Sequence, residues 1–537
     1  MRARQALRVL APVVGLCHNP ALALEPNLPQ WGAAKTGAAQ QLSTINQFSD
    51  VQPSDWAYQA LSTLIERYGC AAGYPHGLFE GKRAINRYEA AALLNACLER
   101  ITEVTDRLQR LLKEFEHELA VVRGRVDALD ASTTSLEALQ FSTTTKLSGL
   151  AVFVVGGNRF LGNAQSQTMA CPTIERPPNQ FGVEQAQGCF GAATFNHELE
   201  LALDTSFTGK DLLHTKLRSG NFVFANNSFG GPFVAPTNLS QLEIAFQSGP
   251  GPNELEIDRL FYQFPMGEFT ISLGGRIGQE DMLALWPGVY PSQSVLDVTT
   301  LNGAPTAYNK NLGAGAGIWW QRKGFSISTN YVAAYGGDGN PSWGGIATAG
   351  AGSTGTVQLG YNKANWGIAG IYSQIQNENG WVGYTTNFMF DSLIFNPGIT
   401  AAFGLSGYWS PDQSGWIPSI SAGLGANKTT YTRGVANAGL VENSRSWSLA
   451  LQWQDAIEKG NTAGMAVGQA SFATSLYGGG TPRDENYVWE GWYSFQVSDN
   501  LAVTPAVFYL SRPQGANTPS GQSFNQLGAL IKTTFRF

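Results

Sequence analysis

Apolar and polar residues alternate along most of the chain from Phe141 onward, in segments separated by Gly, Asn, Asp and Pro. The clearest segment is 195–207, where Asn196, Glu198, Glu200 and Asp204 occupy even-numbered positions and large apolar residues occupy odd-numbered ones. A period of two places successive side chains on opposite faces of a β-strand. We count about sixteen such segments, a number and spacing typical of a large antiparallel sheet.

The connections between these segments alternate between short and long. Short turns lie at 265–268, 322–324, 363–365 and 498–500, and long connections at 156–193, 278–312, 336–352, 425–445 and 473–486. This asymmetry predicts a transmembrane antiparallel β-barrel of about 16 strands over residues 141–537. A soluble all-β protein, the alternative, would need a second sheet to cover the apolar faces. The strand segments are 146–154, 195–207, 213–217, 242–246, 269–273, 325–335, 357–361, 366–375, 399–409, 417–424, 447–453, 463–472, 487–497, 501–509 and 526–537.

The last segment alternates up to its final aromatic residue. One face carries Leu527, Ala529, Ile531, Thr533, Phe535 and Phe537. The segment resembles the closing strand of a bacterial outer-membrane β-barrel, whose last residue is typically Phe. An edge strand of a soluble sandwich is the alternative.

Composition agrees with a wall that meets lipid on one side and water on the other. Charged residues make up 14% of the chain, below the ~25% of soluble domains. No run of ~18 apolar residues occurs, so we predict no transmembrane helix. The net charge of −6 argues against a nucleic-acid partner.

The N-terminal residues have the features of a secretory signal. Arg2, Arg4 and Arg8 precede an apolar stretch, and Ala21-Leu22-Ala23 forms a cleavage site. We predict a signal peptide at 1–23 and a linker at 24–46, and hence export to a compartment that permits disulfides. Of the five cysteines, Cys17 lies in the predicted signal peptide, and the remaining four allow three pairings. Proximity favours Cys70–Cys97 and Cys171–Cys189, and free buried thiols are the alternative. With no Cys-x-x-Cys and no clustered His, we predict neither a metal site nor a cofactor.

Residues 47–100 are predicted to form a helix–turn–helix unit. Its motif residues are Phe48, Asp50, Val51, Trp56, Ala57, Gly73, Tyr74, Pro75, Gly77, Arg87 and Glu89. With these residues the unit resembles a surface-layer homology (SLH) domain. The match departs from the family pattern at His76 and at Asn86, although Asn86 keeps a side-chain oxygen that can cap a helix. The resemblance implies binding of a pyruvylated polysaccharide linked to peptidoglycan.

Within this unit, the resemblance makes Arg87 the clamp for the sugar carboxylate, by bidentate pairing. Asp50, Trp56, Gly73, Tyr74 and Glu89 would shape or line the pocket. A salt bridge from Arg87 to Glu89 or Glu66 is the alternative. One copy of the unit should bind weakly, and oligomerisation would raise the avidity.

Residues 101–140 have a heptad pattern. Charged residues fill the other positions, so we predict a coiled-coil stalk. A helix packed on its own chain is the alternative. The apolar positions are Leu108, Leu112, Phe115, Leu119, Val122, Val126, Leu129 and Leu136.

The polar strand faces supply the candidate lumen residues. Glu198, Glu200 and Asp204 would point inward from one strand, and His214, Lys216 and Arg218 from the next. Facing charges of both signs can filter solutes, although a purely structural ion-pair network is the alternative. Further candidates for the lining are Glu243, Glu256, Asp258, Arg276 and Lys532. The alternation breaks after Asp258, at Leu260 and Phe261, so the pattern does not tell which face carries Arg259.

The connection 279–311 is the candidate constriction loop. It combines carboxylates with aromatics, namely Glu280, Asp281, Trp286, Tyr290 and Asp297, a mixture that suits sugars and hydrated cations equally. An outward surface loop is the alternative. The loop with Cys171 and Cys189 is expected to be an external flap.

An SLH unit, a coiled coil and a barrel in this order resemble cyanobacterial outer-membrane porins of the carbohydrate-selective porin family. The resemblance implies a homotrimer in outer-membrane lipid that passes small solutes, with inorganic ions, iron species or sugars as candidates. A structural tether with a narrow or closed barrel is the second hypothesis. An enzyme is not predicted, because the five His residues are scattered and no Ser/His/Asp grouping occurs.

Overall fold

The described residues form one closed antiparallel barrel. The computed structural model describes residues 144–166, 171, 180–222, 229, 237–246, 251–291, 295–377, 382–413 and 415–537. The predicted signal peptide, linker, SLH unit and coiled coil, with Cys70 and Cys97, lie outside this part of the chain. Sixteen strands pair in sequence order, and β16 pairs with β1 to close the sheet.

The strand bounds show that the alternating segments correspond to barrel strands. The strands are β1 Thr145–Gly162, β2 Thr194–Thr205, β3 Leu212–Gly220, β4 Glu256–Met266, β5 Phe269–Gly278, β6 Leu312–Arg322, β7 Phe325–Ala333, β8 Ser353–Lys363, β9 Trp366–Gln376, β10 Gly398–Trp409, β11 Ser419–Tyr431, β12 Val441–Gln454, β13 Thr462–Leu476, β14 Tyr487–Ser498, β15 Leu501–Ser511 and β16 Phe524–Arg536. The prediction of about sixteen strands in a closed barrel is confirmed.

One end of the barrel carries short turns and the other carries long connections. The β6–β7 turn consists of Lys323 and Gly324, with φ values of 51° and 87°. Two central residues with positive φ match the right-handed twist of a hairpin. The long connections contain helix α1 (Val183–Phe190) and helix α2 (Asn387–Ile394). Neither described helix is long and apolar enough to cross a bilayer.

Large apolar side chains cover the outer surface, as lipid contact requires. Phe195 on β2 is 67% exposed and Leu359 on β8 is 60% exposed. Their sequence neighbours Asn196 and Gln358 point to the interior and are buried. The alternation in the sequence therefore separates a lipid-facing surface from a polar lumen.

Several strand predictions need correction. Residues 242–246 do not form a barrel strand, because only Leu242 bridges another segment and its partner, Leu296, lies in a connection. Strands β4 and β6 were not among the predicted segments, although the turns that follow them were. The connections after β1, β11 and β13 are shorter than predicted, because those strands continue to Gly162, Tyr431 and Leu476.

Helix α1 closes over the end of β1. Phe181, Ala186 and Phe190 pack with Phe160 of β1 and Phe524 of β16. A disulfide joins Cys189 of this helix to Cys171. The loop predicted to be an external flap therefore lies among the long connections and is packed on the barrel rim.

Candidate permeation pathway

The polar faces of β2 and β3 form a ladder of paired charges. Glu200 lies opposite Arg218 and Asp204 opposite His214 in the strand register. Arg218 pairs with Glu198 and also places its Nε 3.0 Å from Glu200 Oε1. His214 Nδ1 lies 2.6 Å from Asp204 Oδ1. The structure thus brings together these predicted residues on one interior face, and Glu198 and Arg218 are 1% and 0% exposed.

A β-bulge on β4 extends this ladder. The register moves from Lys216 opposite Arg259 to Leu217 opposite Ile257, so Asp258 is an extra residue. A bulge lets two consecutive side chains point to the same side of a sheet. Asp258 and Arg259 are both buried in the interior, and Lys216 Nζ lies 3.0 Å from Asp258 Oδ2.

Arg259 connects the wall to the candidate constriction loop. Its Nη2 lies 2.8 Å from Glu280 Oε1, and its Nε lies 2.7 Å from Asp281 Oδ2. Its Nη1 also contacts Asp258 Oδ2 at 3.1 Å. One guanidinium therefore meets three carboxylates, the geometry for which Arg is better suited than Lys.

The predicted residues Glu256 and Arg276 form a separate pair at the end of the barrel with long connections. Arg276 Nη2 lies 3.0 Å from Glu256 Oε1, and the side chains are 28% and 27% exposed. This pair is more accessible than the ladder on β2 and β3.

Hydroxyl groups on the opposite wall hold the backbone of segment 279–311. Ser328 on β7 and Ser421 on β11 accept hydrogen bonds from the amides of Ala284 and Val289, both at 2.8 Å. Further along, Ser373, Ser406 and Ser446 donate to the carbonyl oxygens of Ala307, Asn302 and Gly303. The described parts of the segment, 279–291 and 295–311, are therefore folded into the barrel and fixed to β7, β9, β10, β11 and β12.

Two predicted aromatics of this segment are packed against other side chains. Tyr290 Oη donates to Glu490 Oε1 on β14 at 2.6 Å and accepts from Trp492 Nε1 at 2.7 Å. Glu490 Oε2 also accepts from the amide of Leu296 at 2.8 Å. Trp286 packs edge-on against Tyr308, with ring centroids 5.1 Å apart.

Segment 237–246 also folds into the barrel and pairs with segment 279–311. The amide of Glu243 donates to Val295 O at 3.0 Å, and the amide of Asp297 donates to Gln241 O at 3.2 Å. Leu242 belongs to an apolar cluster with wall residues of β1, β15 and β16. The alternating pattern of 242–246 thus reflects burial inside the lumen.

Asp297, the last predicted constriction residue, accepts from one donor of its own segment and from one donor of another connection. Lys310 Nζ donates to Asp297 Oδ1 at 2.8 Å, and Tyr384 Oη donates to Asp297 Oδ2 at 2.6 Å. Lys310 Nζ also lies 4.0 Å from Glu243 Oε1. Asp297 therefore joins segment 279–311 to the connection between β9 and β10.

A second network joins the outer connections through Asp484, which is fully buried. Its carboxylate accepts from Thr386 Oγ1 at 2.8 Å, from the Ala473 amide at 2.6 Å and from the Ala516 amide at 2.9 Å. Burial raises the pKa of Asp484 from 3.8 to about 7, against the effect of these donors. Burial also raises the pKa of Asp391 on α2 to about 6.

The residues that sequence reasoning missed hold the inward segments in place. Arg259 remained unplaced, and Lys310, Tyr384 and Glu490 were not singled out. The adjacent charges of Asp258 and Arg259 in a strand were the available signal for a bulge. Among the described residues, no group of three or more His, Cys, Asp or Glu side chains is placed to hold a metal ion.

A closed 16-strand barrel with an apolar exterior, a charged interior and inward-folded connections defines a porin-type membrane protein. The chain belongs to the carbohydrate-selective porin, OprB family, whose model matches residues 103–537. Residues 47–91 match the S-layer homology domain. These two matches place the protein in the outer membrane, with the SLH domain on the periplasmic side, among non-enzymatic channels.

Two relatives match nearly the whole chain. The uncharacterized protein alr4550 of Nostoc sp. is 32% identical over 553 residues, covering 94% of this chain and 87% of that protein. The uncharacterized protein sll0772 of Synechocystis sp. is 29% identical, covering 95% of this chain and 94% of that protein. Pseudomonas putida OprB, a solved structure, has a TM-score of 0.43 at 12% identity and covers 73% of this chain and 94% of that chain.

Proposed function

We propose that this porin passes small hydrophilic solutes by passive diffusion through a restricted lumen. The observation that carries the proposal is the course of segment 279–311, which runs from Arg259 on β4 to Glu490 on β14 across the barrel interior. A segment at that position reduces the cross-section open to solutes. Its Glu280, Asp281, Trp286, Tyr290 and Asp297 are therefore proposed as the constriction residues.

Inorganic ions, including iron species, and sugars are the two proposed classes of solute. The charged ladder on β2, β3 and β4 supports ions, because charges of both signs order water and act on charged solutes. The family description supports sugars. Glu198, Glu200, Asp204, His214, Lys216, Arg218, Glu256 and Arg276 are the proposed pore-lining set.

The SLH domain is proposed to attach the protein to a pyruvylated polysaccharide on peptidoglycan. Arg87 is the proposed carboxylate clamp, with Asp50, Trp56, Gly73, Tyr74 and Glu89 around it. The heptads of 101–140 support self-association, and a trimer would place three SLH domains near the wall together.

Single-channel recording of the purified full-length chain in a planar bilayer tests the diffusion proposal. We expect discrete steps in multiples of three and a reversal potential, under a salt gradient, that reports the sign of the dominant lining charge. Liposome swelling in a graded series of neutral sugars then separates sugars from ions. If correctly folded protein gives neither conductance steps nor liposome swelling, passive diffusion is contradicted.

A structural tether with a closed barrel is the second candidate. It is favoured by the near-complete burial of Glu198, Arg218 and Arg259, and by the apolar packing of segment 237–246 against β1, β15 and β16. Under this function, loss of wall binding would detach the outer membrane while solute uptake stays unchanged. Solute uptake in cells that lack the protein distinguishes the two functions, because uptake falls if the barrel conducts and stays unchanged if the protein is only a tether. Membrane blebbing in cells that carry Arg87→Ala tests the wall attachment, which both functions include.

A further inference from the structure

Two cations lie on the lipid-facing surface of neighbouring strands. On β11, Lys428 is exposed on the outside between the interior residues Asn427 and Thr429. On β12, Arg445 is exposed between the interior residues Ser444 and Ser446. Charged side chains on the lipid-facing side of a barrel are costly at the bilayer midplane and nearly neutral at the interfaces.

The strand register places these cations close together. Lys428 lies opposite Asn443, and Arg445 lies opposite Ala426, so the two cations are diagonal neighbours on one face. Diagonal positions are ~7–8 Å apart, within reach of long side chains. Within the described part of the chain neither cation forms an ion pair, including with the nearby Glu442.

The position along the strands matches a membrane interface. Toward the short-turn end, the same face of β11 and β12 is apolar, with Leu424 opposite Trp447 and Ala422 opposite Leu449. The cations follow this apolar stretch on the side of the long connections. An apolar wall that ends in cations meets the headgroup layer of the leaflet next to the long connections.

Uncharged polar side chains extend this surface on both sides. Gln374 of β9 is exposed and lies across Ala401 from Lys428, and the small Ala401 side chain leaves space between them. Gln374 carries amide donors that complement phosphate oxygens. Asn443 Nδ2 donates one hydrogen to Ser475 Oγ at 2.8 Å and has a second amide hydrogen. Together with Lys428 and Arg445, they form a donor-rich patch, which we call the β9–β12 patch.

We propose that the β9–β12 patch binds the phosphate group of an anionic glycolipid in the outer leaflet. Arg is suited to bidentate phosphate recognition and Lys to a point-charge contact. The acyl chains of such a lipid would lie along the apolar rows that include Leu424 and Trp447. Binding would orient the barrel and hold a specific lipid against β11 and β12.

Native mass spectrometry of the full-length protein in detergent, titrated with diphosphorylated lipid A, tests this proposal. The double variant Lys428→Gln/Arg445→Gln should lose roughly 10- to 30-fold in lipid affinity, because each cation near an anionic surface contributes on the order of a few-fold to tenfold. Lys428→Arg should retain binding. Lys459→Gln, which changes an exposed lysine in the β12–β13 turn, should also leave binding unchanged.

Folding of every variant is verified by its heat-modifiable mobility on gels, since the substitutions replace exposed side chains. Equal affinity of the double variant and the unchanged protein would overturn the proposal. Equal binding of a dephosphorylated lipid would also overturn it, since the patch would then recognise acyl chains only. A change of oligomeric state in the double variant, with unchanged lipid affinity, would assign the patch to contact with a second copy of this chain instead.

Discussion

The ring of Phe537 lies directly over Gly149 on β1. A Cβ added at Gly149 would lie 2.2 Å from Phe537 Cε2. The two backbones are also joined, because the Gly149 amide donates to Phe537 O at 2.7 Å and the Phe537 amide donates to Gly149 O at 3.0 Å. With the Phe537 ring in this position, a side chain at position 149 would clash with it.

Gly149→Ala is expected to destabilise barrel closure by about 1–3 kcal/mol, because the ring must move to admit the methyl group. The measurement is the temperature at which the folded gel band converts to the unfolded one. Gly370→Ala is the matched control, because a Cβ at that lipid-facing strand position meets nothing within 4 Å. In a protein that carries Phe537→Ala, the clash is absent, so adding Gly149→Ala should lower the conversion temperature much less. An equal lowering with and without the Phe537 ring would contradict the proposed contact.

The alternating pattern was sufficient to predict the barrel because a closed sheet repeats one local rule along every strand. Glu200 and Arg218 could be assigned to the same face from parity alone, and the register places them opposite each other. Arg259 could not be assigned to a face, because the bulge interrupts the alternation at this point. The adjacent charges of Asp258 and Arg259 are a hint of it, and the pairing with Lys216 and Leu217 identifies the extra residue.

The inward segments show the limit of prediction from local patterns. Tyr290 and Glu490 are separated by 200 residues in sequence and form a hydrogen bond across the barrel. Nothing in the immediate sequence of either residue encodes that pairing. Leu242 misled the prediction because burial inside a lumen and burial against lipid select the same apolar residue types.

Arg259→Met should release the first part of segment 279–311 from the wall. The substitution leaves Asp258, Glu280 and Asp281 without their shared guanidinium, and breaking a buried ion pair typically costs about 3–5 kcal/mol. We expect a lower thermal stability and a noisier or larger single-channel conductance.

Arg322→Met is the control for Arg259→Met. Arg322 pairs with Glu268 at 2.9 Å, but both side chains are more than half exposed, at 59% and 62%. An exposed pair contributes about 0–1 kcal/mol, so this variant should behave as the unchanged protein does. Equal effects of the two substitutions would show that Arg259 has no special role in holding the segment.

The network around Asp484 should depend on pH. The pKa of its carboxyl is raised from 3.8 to about 7, so its contribution to stability is full below about pH 3.8 and is lost as the pH rises through about 7. Contacts to Thr386, Ala473 and Ala516 should therefore loosen from acidic to alkaline pH. Hydrogen exchange of peptides covering 471–476 and 512–518 reports this opening.

Asp484→Asn removes the titrating group. It serves as the reference, because the chemical rate of amide hydrogen exchange itself changes with pH. The neighbouring Glu485 raises the same pKa, so Glu485→Gln should shift the transition to lower pH without abolishing it. If the unchanged protein and Asp484→Asn show the same pH dependence of exchange, the carboxyl of Asp484 does not control these connections.

Glu490→Ala tests the far end of the inward segment. Glu490 accepts from Tyr290 Oη and from the Leu296 amide, so its removal leaves two buried donors unsatisfied, each at a cost of about 1–3 kcal/mol. The segment should then move away from β14, and the single-channel conductance should rise or fluctuate.

Glu490→Gln, which retains one acceptor oxygen, should give an intermediate effect. Ser494→Ala, on the same strand, is the matched control, because Ser494 accepts a hydrogen bond from Thr504 Oγ1 on the neighbouring strand β15 at 2.9 Å. Conductance that is the same in Glu490→Ala and in the unchanged protein would show that this contact does not define the width of the pathway.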